Sequence, residues 1–138
     1  MTFKIYGIGY ANRTLAEICQ VAGEKEAYVI DVRFSPFSRN RAFHREALRA
    51  ALGERYRHVA VLGNRNYRGG PVDIVDYVAG RALLKSLDRP AILICACADP
   101  SHCHRSVSLH RLAEEGFETE ELNLSGTAQT ESRQLPLF

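Results

Sequence analysis

The sequence lacks the features of a membrane-spanning, secreted or strongly basic protein. No stretch approaches the roughly 18 to 20 uninterrupted apolar residues of a membrane span. The opening residues MTFKIYGIGYANR lack the basic-then-apolar layout of a secretory signal. The formal net charge of +2 is too small to indicate nucleic-acid binding by itself, and the chain contains no internal repeat. The sequence therefore predicts a cytoplasmic protein.

The chain has the length and the patterning of one ordinary globular domain. Its 138 residues are 46% hydrophobic and 25% charged, which suffices for one real core but not for two. Apolar strand-like runs recur, each followed by a turn signal and a segment with helical spacing. Such alternation is typical of parallel βα units. We predict a single α/β domain over residues 1–124, Rossmann-like or doubly wound, with a mostly parallel sheet of about five strands and helices on both faces.

The predicted elements follow the chain in order. Strands are expected at residues 3–8, 28–32, 58–62, 91–95 and 117–124. The fourth is expected at the centre of the sheet because it is the most continuously apolar. Helices are expected at residues 14–23, 41–52, 72–87 and 101–115, the first capped by Thr14 and ended by Gly23. The buried face of the third helix is expected to consist of Ile74, Val75, Val78, Ala82 and Leu83.

Arginines follow several of the predicted strands, where loops emerge at the carboxyl edge of the sheet. Ligands of open parallel sheets bind at that edge, and guanidinium groups recognise phosphate through paired hydrogen bonds. The sequence therefore predicts an anion-binding site. Its candidate residues are Arg13, Arg33, Arg39, Arg65, Arg68 and Arg105. The alternative is that several of these arginines are solvated or pair with the domain's own carboxylates, and we favour such a pairing role over a catalytic one for Asp31.

The segment CACADPSHCHR, residues 95–105, concentrates the chemically reactive side chains at one strand-to-helix turn. In a catalytic hypothesis Cys103 or Cys97 is a nucleophile, because a helix N-terminus and Arg105 both lower a thiol pKa. A histidine, His102 or His104, would then transfer protons near neutral pH.

Two other hypotheses explain the same segment. In the first, Cys97, Cys103 and a histidine such as His102 bind a metal ion, with Cys95 as an optional fourth ligand, although the Cys-x-Cys spacing is unusual for zinc. In the second, Cys95 is simply a small core side chain and the other groups face solvent. The residues alone leave all three hypotheses open.

Four separated motifs resemble those of a bacterial family called domain of unknown function 488. They are GIGYANR, IDVRFSPFSRNRAFHREAL, LGNRNYRGG and CACADPSHCHRS, and the likeness covers residues 3 to 124 in the same order. The resemblance implies an α/β fold but supplies no reaction. In the first motif Tyr10 and Ala11 stand where family members usually carry histidine and serine. The residues that the resemblance implicates are Arg33, Pro36, Ser38, Phe43, Cys97, Cys103, His104 and Arg105.

Composition changes at residue 125, and residues 125–138 are predicted to form a flexible tail. Its last five residues, QLPLF, resemble the pentapeptide by which bacterial replication and repair proteins bind the DNA polymerase sliding clamp. In that interpretation Leu135, Leu137 and Phe138 are apolar anchors and Gln134 fixes their orientation by hydrogen bonds. The sliding clamp is therefore the predicted partner.

These features predict a DNA-repair or DNA-processing protein that offers an arginine-lined, thiol-containing pocket to a nucleotide or a DNA phosphate. Whether it is an enzyme, and which cofactor it uses, the sequence leaves open. Two alternatives remain at this point. One is a small-molecule thiol enzyme that acts on an anionic substrate, and the other is a non-catalytic adaptor stabilised by a metal ion.

Overall fold

Five short segments form the strands of one parallel sheet in the computed structural model, which describes residues 2–36, 38–97 and 103–122. The strands are β1 (Ile5–Gly9), β2 (Tyr28–Asp31), β3 (Tyr56–His58), β4 (Ala91–Cys95) and β5 (Thr119–Glu121). Their order across the sheet is β3-β2-β4-β1-β5, and each neighbouring pair is parallel. The α/β class is confirmed, and the fully buried β4 lies at the centre as its sequence predicts.

Helices cover both faces of the sheet. They are α1 (Leu15–Lys25), α2 (Arg45–Leu52), α3 (Tyr77–Lys85) and α4 (His104–Glu114). One core joins α1 and α2 to alternate β4 residues such as Ile92 and Ile94. The other joins α3 and α4 to the opposite side of β4, through residues such as Leu93. The helix after β4 therefore lies on the opposite face from the helices after β1 and β2, which opens a crevice at the carboxyl edge on both sides of β4.

The two ends of α1 test the capping predictions. Thr14 forms a complete capping box, since its hydroxyl accepts from the Glu17 N–H and the Glu17 carboxylate accepts from the Thr14 N–H. The predicted stop at Gly23 is wrong. The helix continues to Lys25 and ends because Glu26 adopts a left-handed conformation with φ 51°.

The third predicted strand and the third predicted helix are both displaced. The strand is Tyr56–His58 rather than residues 58–62, because Tyr56 pairs with β2 and Ala60–Leu62 turns into a 3₁₀ helix. Residues 73–76 cannot be helical because their backbone bonds to residues 61–65. The helix begins only after Asp76, which caps the N–H of Ala79.

The remaining element predictions differ mainly at their ends. The second helix is divided into a 3₁₀ turn, Arg41–Phe43, and α2. On α3 the predicted buried face is wrong for Val78, which is 57% exposed, and for Ala82, which is also exposed, while Tyr77, Gly80 and Leu84 are buried. No helix in the described part of the chain is long and apolar enough to span a bilayer.

Candidate functional site

A cavity of about 600 Å³ lies at the carboxyl edge of the sheet. Loops that follow β1, β2, β3 and β4 all contribute to its walls, as the topology dictates. Its polar and sulfur-bearing wall is formed by the strand ends, and an aromatic and glycine-containing wall is formed by Phe34 after β2 together with the loop after β3. The lining residues are Tyr10, Arg33, Phe34, Ser35, Asn64, Asn66, Tyr67, Arg68, Gly69, Gly70, Val72, Cys95, Ala96, Cys97 and His104.

A cluster of cysteines lies where β4 ends and α4 begins. Cys95 is the last residue of β4, and Cys103 is the N-cap of α4. Their Sγ atoms are 2.8 Å apart, and both side chains are buried. Cys97 is exposed and lines the cavity. The cluster therefore has a buried pair of sulfurs and a third sulfur that a ligand can touch.

Arg105, in the first turn of α4, is fully buried and donates hydrogen bonds to the cysteine cluster. Its Nε and Nη2 donate to the two carboxylate oxygens of Glu121 at 3.0 and 2.6 Å. Its Nη1 donates to Cys95 Sγ at 2.9 Å and to the Cys97 carbonyl at 3.0 Å, with Cys103 Sγ at 3.6 Å. The carboxylate on β5 thus orients the guanidinium so that one N–H edge faces the sulfurs.

Gly7 makes room for this ion pair beneath β1. A Cβ at position 7 would lie 2.6 Å from Glu121 Oε1, 2.6 Å from Leu109 Cδ1 and 3.2 Å from Arg105 Cδ. The first of these contacts involves the carboxylate that orients Arg105. Gly7 is therefore needed for close packing against the site.

His104 connects the cysteine cluster to the end of β2. Its Nε2 lies 2.7 Å from the Val32 carbonyl oxygen, so this nitrogen carries a proton and donates it. Its Nδ1 lies 3.9 Å from Cys103 Sγ. Because His104 also lines the cavity, its ring is placed to stabilise a thiolate and to exchange a proton with a bound ligand.

These contacts shift the pKa of each group in the cluster. The hydrogen bond from Cys95, followed by contacts with His104 and Arg105, lowers the pKa of Cys103 to about 4. Hydrogen bonds to Cys103 and Cys97, together with burial, raise the pKa of Cys95. The hydrogen bond with Cys95 also lowers the pKa of Cys97. Burial alone would lower the pKa of His104, but its contacts with Cys103 and Val32 raise it overall. Cys103 is therefore the first thiol to ionise, and Cys95 keeps its proton and donates it.

A second polar cluster holds the end of β2. The Asp31 carboxylate is fully buried and accepts from Arg33 Nε at 2.8 Å, Arg33 Nη2 at 2.5 Å and Tyr56 Oη at 2.6 Å. Arg33 Nη1 donates to Tyr10 Oη at 3.0 Å, and the Tyr10 ring stacks on Phe43 at 4.2 Å. The expectation that Asp31 pairs with an arginine is confirmed. Arg33 lines the cavity, but its positive charge is already balanced by the buried Asp31 carboxylate.

Comparison with known proteins gives one match. Residues 14–70 match the model of a family described as domain of unknown function DUF488. The match runs from α1 to the loop after β3, so it includes the Asp31 and Arg33 cluster and one wall of the cavity. It supports the family that the sequence resembles. A search of the curated proteins and of the solved structures finds no match.

The DUF488 match ends before the cysteine segment, so the structure alone places those residues. In the structure Cys97 and His104 line the cavity, and Cys103 and Arg105 are buried next to them. His102 lies outside the described residues, as do residues 134–138.

The six arginines predicted to bind an anion do not all converge. Arg33 and Arg68 line the cavity, whereas Arg105 is committed to Glu121 and the sulfurs. Arg65 is exposed and donates to the Val75 carbonyl, and Arg39 is exposed on the loop after β2. The Nε of half-buried Arg13 has no hydrogen-bond partner among the described residues. Arg68 is thus the exposed guanidinium at the cavity mouth.

The cluster also contains three groups that can ligate a metal. One ligand atom each from Cys95, Cys103 and His104 lie within 4.8 Å of one another. This set differs from the predicted Cys97, Cys103 and His102. The buried guanidinium of Arg105 already supplies positive charge to both sulfurs, so a metal ion there would face a cation at short range. The geometry fits a thiolate better than a metal centre.

Sequence reasoning missed Glu121, the residue that orients Arg105. It lies on a short edge strand, 16 residues from Arg105. The signal that could have found it is the parallel pairing of β1 with β5, which places Gly7 opposite Glu121. A carboxylate opposite a glycine on an adjacent strand leaves space for a large buried cation.

Proposed function

We propose that this chain is a DNA-processing protein whose cysteine cluster acts on a nucleotide unit held in the cavity, and that residues 134–138 recruit it to the DNA polymerase sliding clamp. The observation that carries the proposal is the thiolate site itself. Cys103, His104 and Arg105 form an ionised cluster against the wall of a cavity of about 600 Å³. Lowered thiol pKa values at a cavity are typical of nucleophilic sites.

The roles in this site divide by exposure. Cys97 faces the cavity and has a lowered pKa, so it is the sulfur that contacts the substrate. Cys103 is buried and holds the negative charge that Arg105 and His104 stabilise. His104 lines the cavity, and its Nδ1 can take a proton from the attacking thiol and then supply it to the leaving group.

The aromatic wall of the cavity suits a nucleotide. Phe34 and Tyr67 are exposed, and their rings stack with centroids 5.4 Å apart. The guanidinium of Arg68 lies 5.5 Å from the Tyr67 ring centroid. Exposed aromatic faces beside a cation are the usual platform for unpaired bases and their phosphates. This wall supports a nucleic-acid ligand over a small anion without a ring.

Replacing Arg68 by alanine is expected to weaken DNA binding and to reduce the salt slope by about one unit, because one phosphate contact is lost. The measurement is fluorescence anisotropy of a labelled single-stranded oligonucleotide at several salt concentrations. Arg49→Ala, which removes an exposed arginine from α2 on the far face, is the matched control and should leave binding unchanged. Binding that does not depend on salt would contradict the DNA proposal and favour a small-molecule substrate.

The recruitment proposal concerns the tail alone. Removing residues 134–138 is expected to abolish capture of the protein on an immobilised sliding clamp, because the apolar anchors are lost. The point variant Gln134→Ala should weaken capture, whereas Gln129→Ala, a glutamine five positions earlier, should not. If the full chain does not bind the clamp, or if the truncated chain binds as well, recruitment is wrong.

A further inference from the structure

We propose that Cys95 and Cys103 form a reversible disulfide when the protein meets hydrogen peroxide, so that the buried sulfur pair is an oxidation site. This inference goes beyond the proposed function, because it does not depend on which substrate the cavity binds. It rests on the positions of two sulfurs and one buried cation.

The first support is proximity. The two Sγ atoms are 2.8 Å apart, and a disulfide bond is about 2.05 Å long, so the pair closes with a movement of less than about 1 Å. Cys95 ends a strand and Cys103 caps a helix, and both are fixed by backbone hydrogen bonds at that edge. Cys19 lies on α1, which packs in the core on the opposite face of the sheet, so it does not compete for either sulfur.

The second support is the division of charge within the pair. Arg105 Nη1 donates to both sulfurs, so one can be a thiolate while the other keeps its proton. A thiolate beside a thiol is the arrangement that oxidises in two steps, because the first sulfur reacts with peroxide and the second resolves the product.

The chemistry balances with hydrogen peroxide as the oxidant. The Cys103 thiolate attacks one peroxide oxygen, the O–O bond breaks, and the departing hydroxide takes up a proton to become water. Cys103 is then a sulfenic acid. The Cys95 sulfur attacks Cys103 Sγ, the S–O bond breaks, and the hydroxyl leaves as water with the Cys95 proton. The two cysteines lose two electrons in total, and the peroxide is reduced to two waters.

Arg105 also makes the disulfide easy to reduce. In the dithiol form its buried positive charge faces a negative sulfur, whereas both sulfurs of the disulfide are neutral and accept hydrogen bonds weakly. Stabilisation of the reduced thiolate favours the dithiol and gives a readily reduced disulfide. Closure therefore reverses with a thiol reductant, and it removes both the Cys103 charge that Arg105 and His104 stabilise and the Cys95 hydrogen bond that lowers the pKa of Cys97.

The test uses the full-length Cys97→Ser variant, because position 97 is exposed and the change should leave the fold intact. This variant has three thiols, Cys19, Cys95 and Cys103. Protein purified in a chelator receives stoichiometric hydrogen peroxide, and thiols are counted after denaturation. The expected result is a fall from three thiols to one and a linked Cys95–Cys103 peptide in the mass spectrum. Dithiothreitol should restore all three thiols.

Two further variants keep the result interpretable. Cys19→Ser, in the same background, should still form the disulfide. Cys95→Ser, also in that background, should instead stop at the sulfenic acid of Cys103, because no resolving thiol is left, and a second equivalent of peroxide should convert it to the sulfinic acid. The proposal is overturned if the Cys97→Ser protein keeps three thiols, or if the disulfide contains Cys19 or joins two chains.

Discussion

Replacing Arg105 by methionine is expected to lower the free energy of unfolding by about 3 kcal/mol and to raise the pKa of Cys103 toward its ordinary value. The side chain is fully buried, and its loss leaves Glu121 and the two sulfurs without their shared donor. Breaking a buried ion pair costs about 3 to 5 kcal/mol. The lower end applies because the Glu121 side chain remains 29% exposed. Urea unfolding measures the stability, and thiolate absorbance against pH measures the ionisation.

The matched control for this change is Arg81→Met. Arg81 forms an ion pair with Glu115 at 3.0 Å, but both partners are about one-third exposed, and such surface pairs contribute at most about 1 kcal/mol. If Arg105→Met and Arg81→Met lowered the free energy of unfolding equally, the buried ion pair of Arg105 would contribute no more than a surface pair, which would contradict the account.

A third variant, Glu121→Gln, separates charge from packing. It keeps the shape but removes the negative charge that pairs with the buried guanidinium, so it too should lower the free energy of unfolding.

Replacing Arg33 by methionine is expected to destabilise the protein by about 3 to 5 kcal/mol, because the fully buried Asp31 carboxylate would lose its cation. The Tyr56 hydroxyl would remain as its main donor, at 2.6 Å. The double variant Asp31→Asn with Arg33→Met should be more stable than Arg33→Met alone by about 1 to 3 kcal/mol. It also removes the Asp31 carboxylate charge that Arg33→Met leaves unpaired. Denaturant unfolding of wild type, both single variants and the double variant completes the cycle. A cost below about 1 kcal/mol for Arg33→Met would contradict a buried ion pair.

The elements that sequence predicts well are those with a strong local signal. The continuous aliphatic run of β4 identified the central strand, and Thr14 with Glu17 identified the start of α1. The cysteine segment was recognised as the chemical centre because its residues are adjacent in the chain. The carboxyl-edge rule for parallel sheets predicts a site there, and Cys95, Cys97 and His104 of this segment line the cavity.

What the sequence could not supply was which charges pair internally. An arginine that binds a ligand and one that pairs with a buried carboxylate have the same local sequence, and only the tertiary structure shows that Arg33 meets Asp31 and Arg105 meets Glu121. The displaced α3 has a similar cause. Residues 73–76 carry a helical pattern, but long-range backbone bonds to residues 61–65 decide their conformation.

The most direct test of the thiolate site is a titration of thiolate absorbance in the intact protein, with the Cys103→Ser variant as the comparison. The structure lowers the pKa of Cys103 to about 4, so a thiolate should be present at about pH 6, well below the ordinary thiol pKa of about 8.5. In the Cys97→Ser background, which removes the other thiol with a lowered pKa, Cys103→Ser should lose this low-pH absorbance, whereas Cys19→Ser should retain it, because burial raises the pKa of Cys19. A wild-type protein whose first thiol ionises near pH 8.5 would contradict the account.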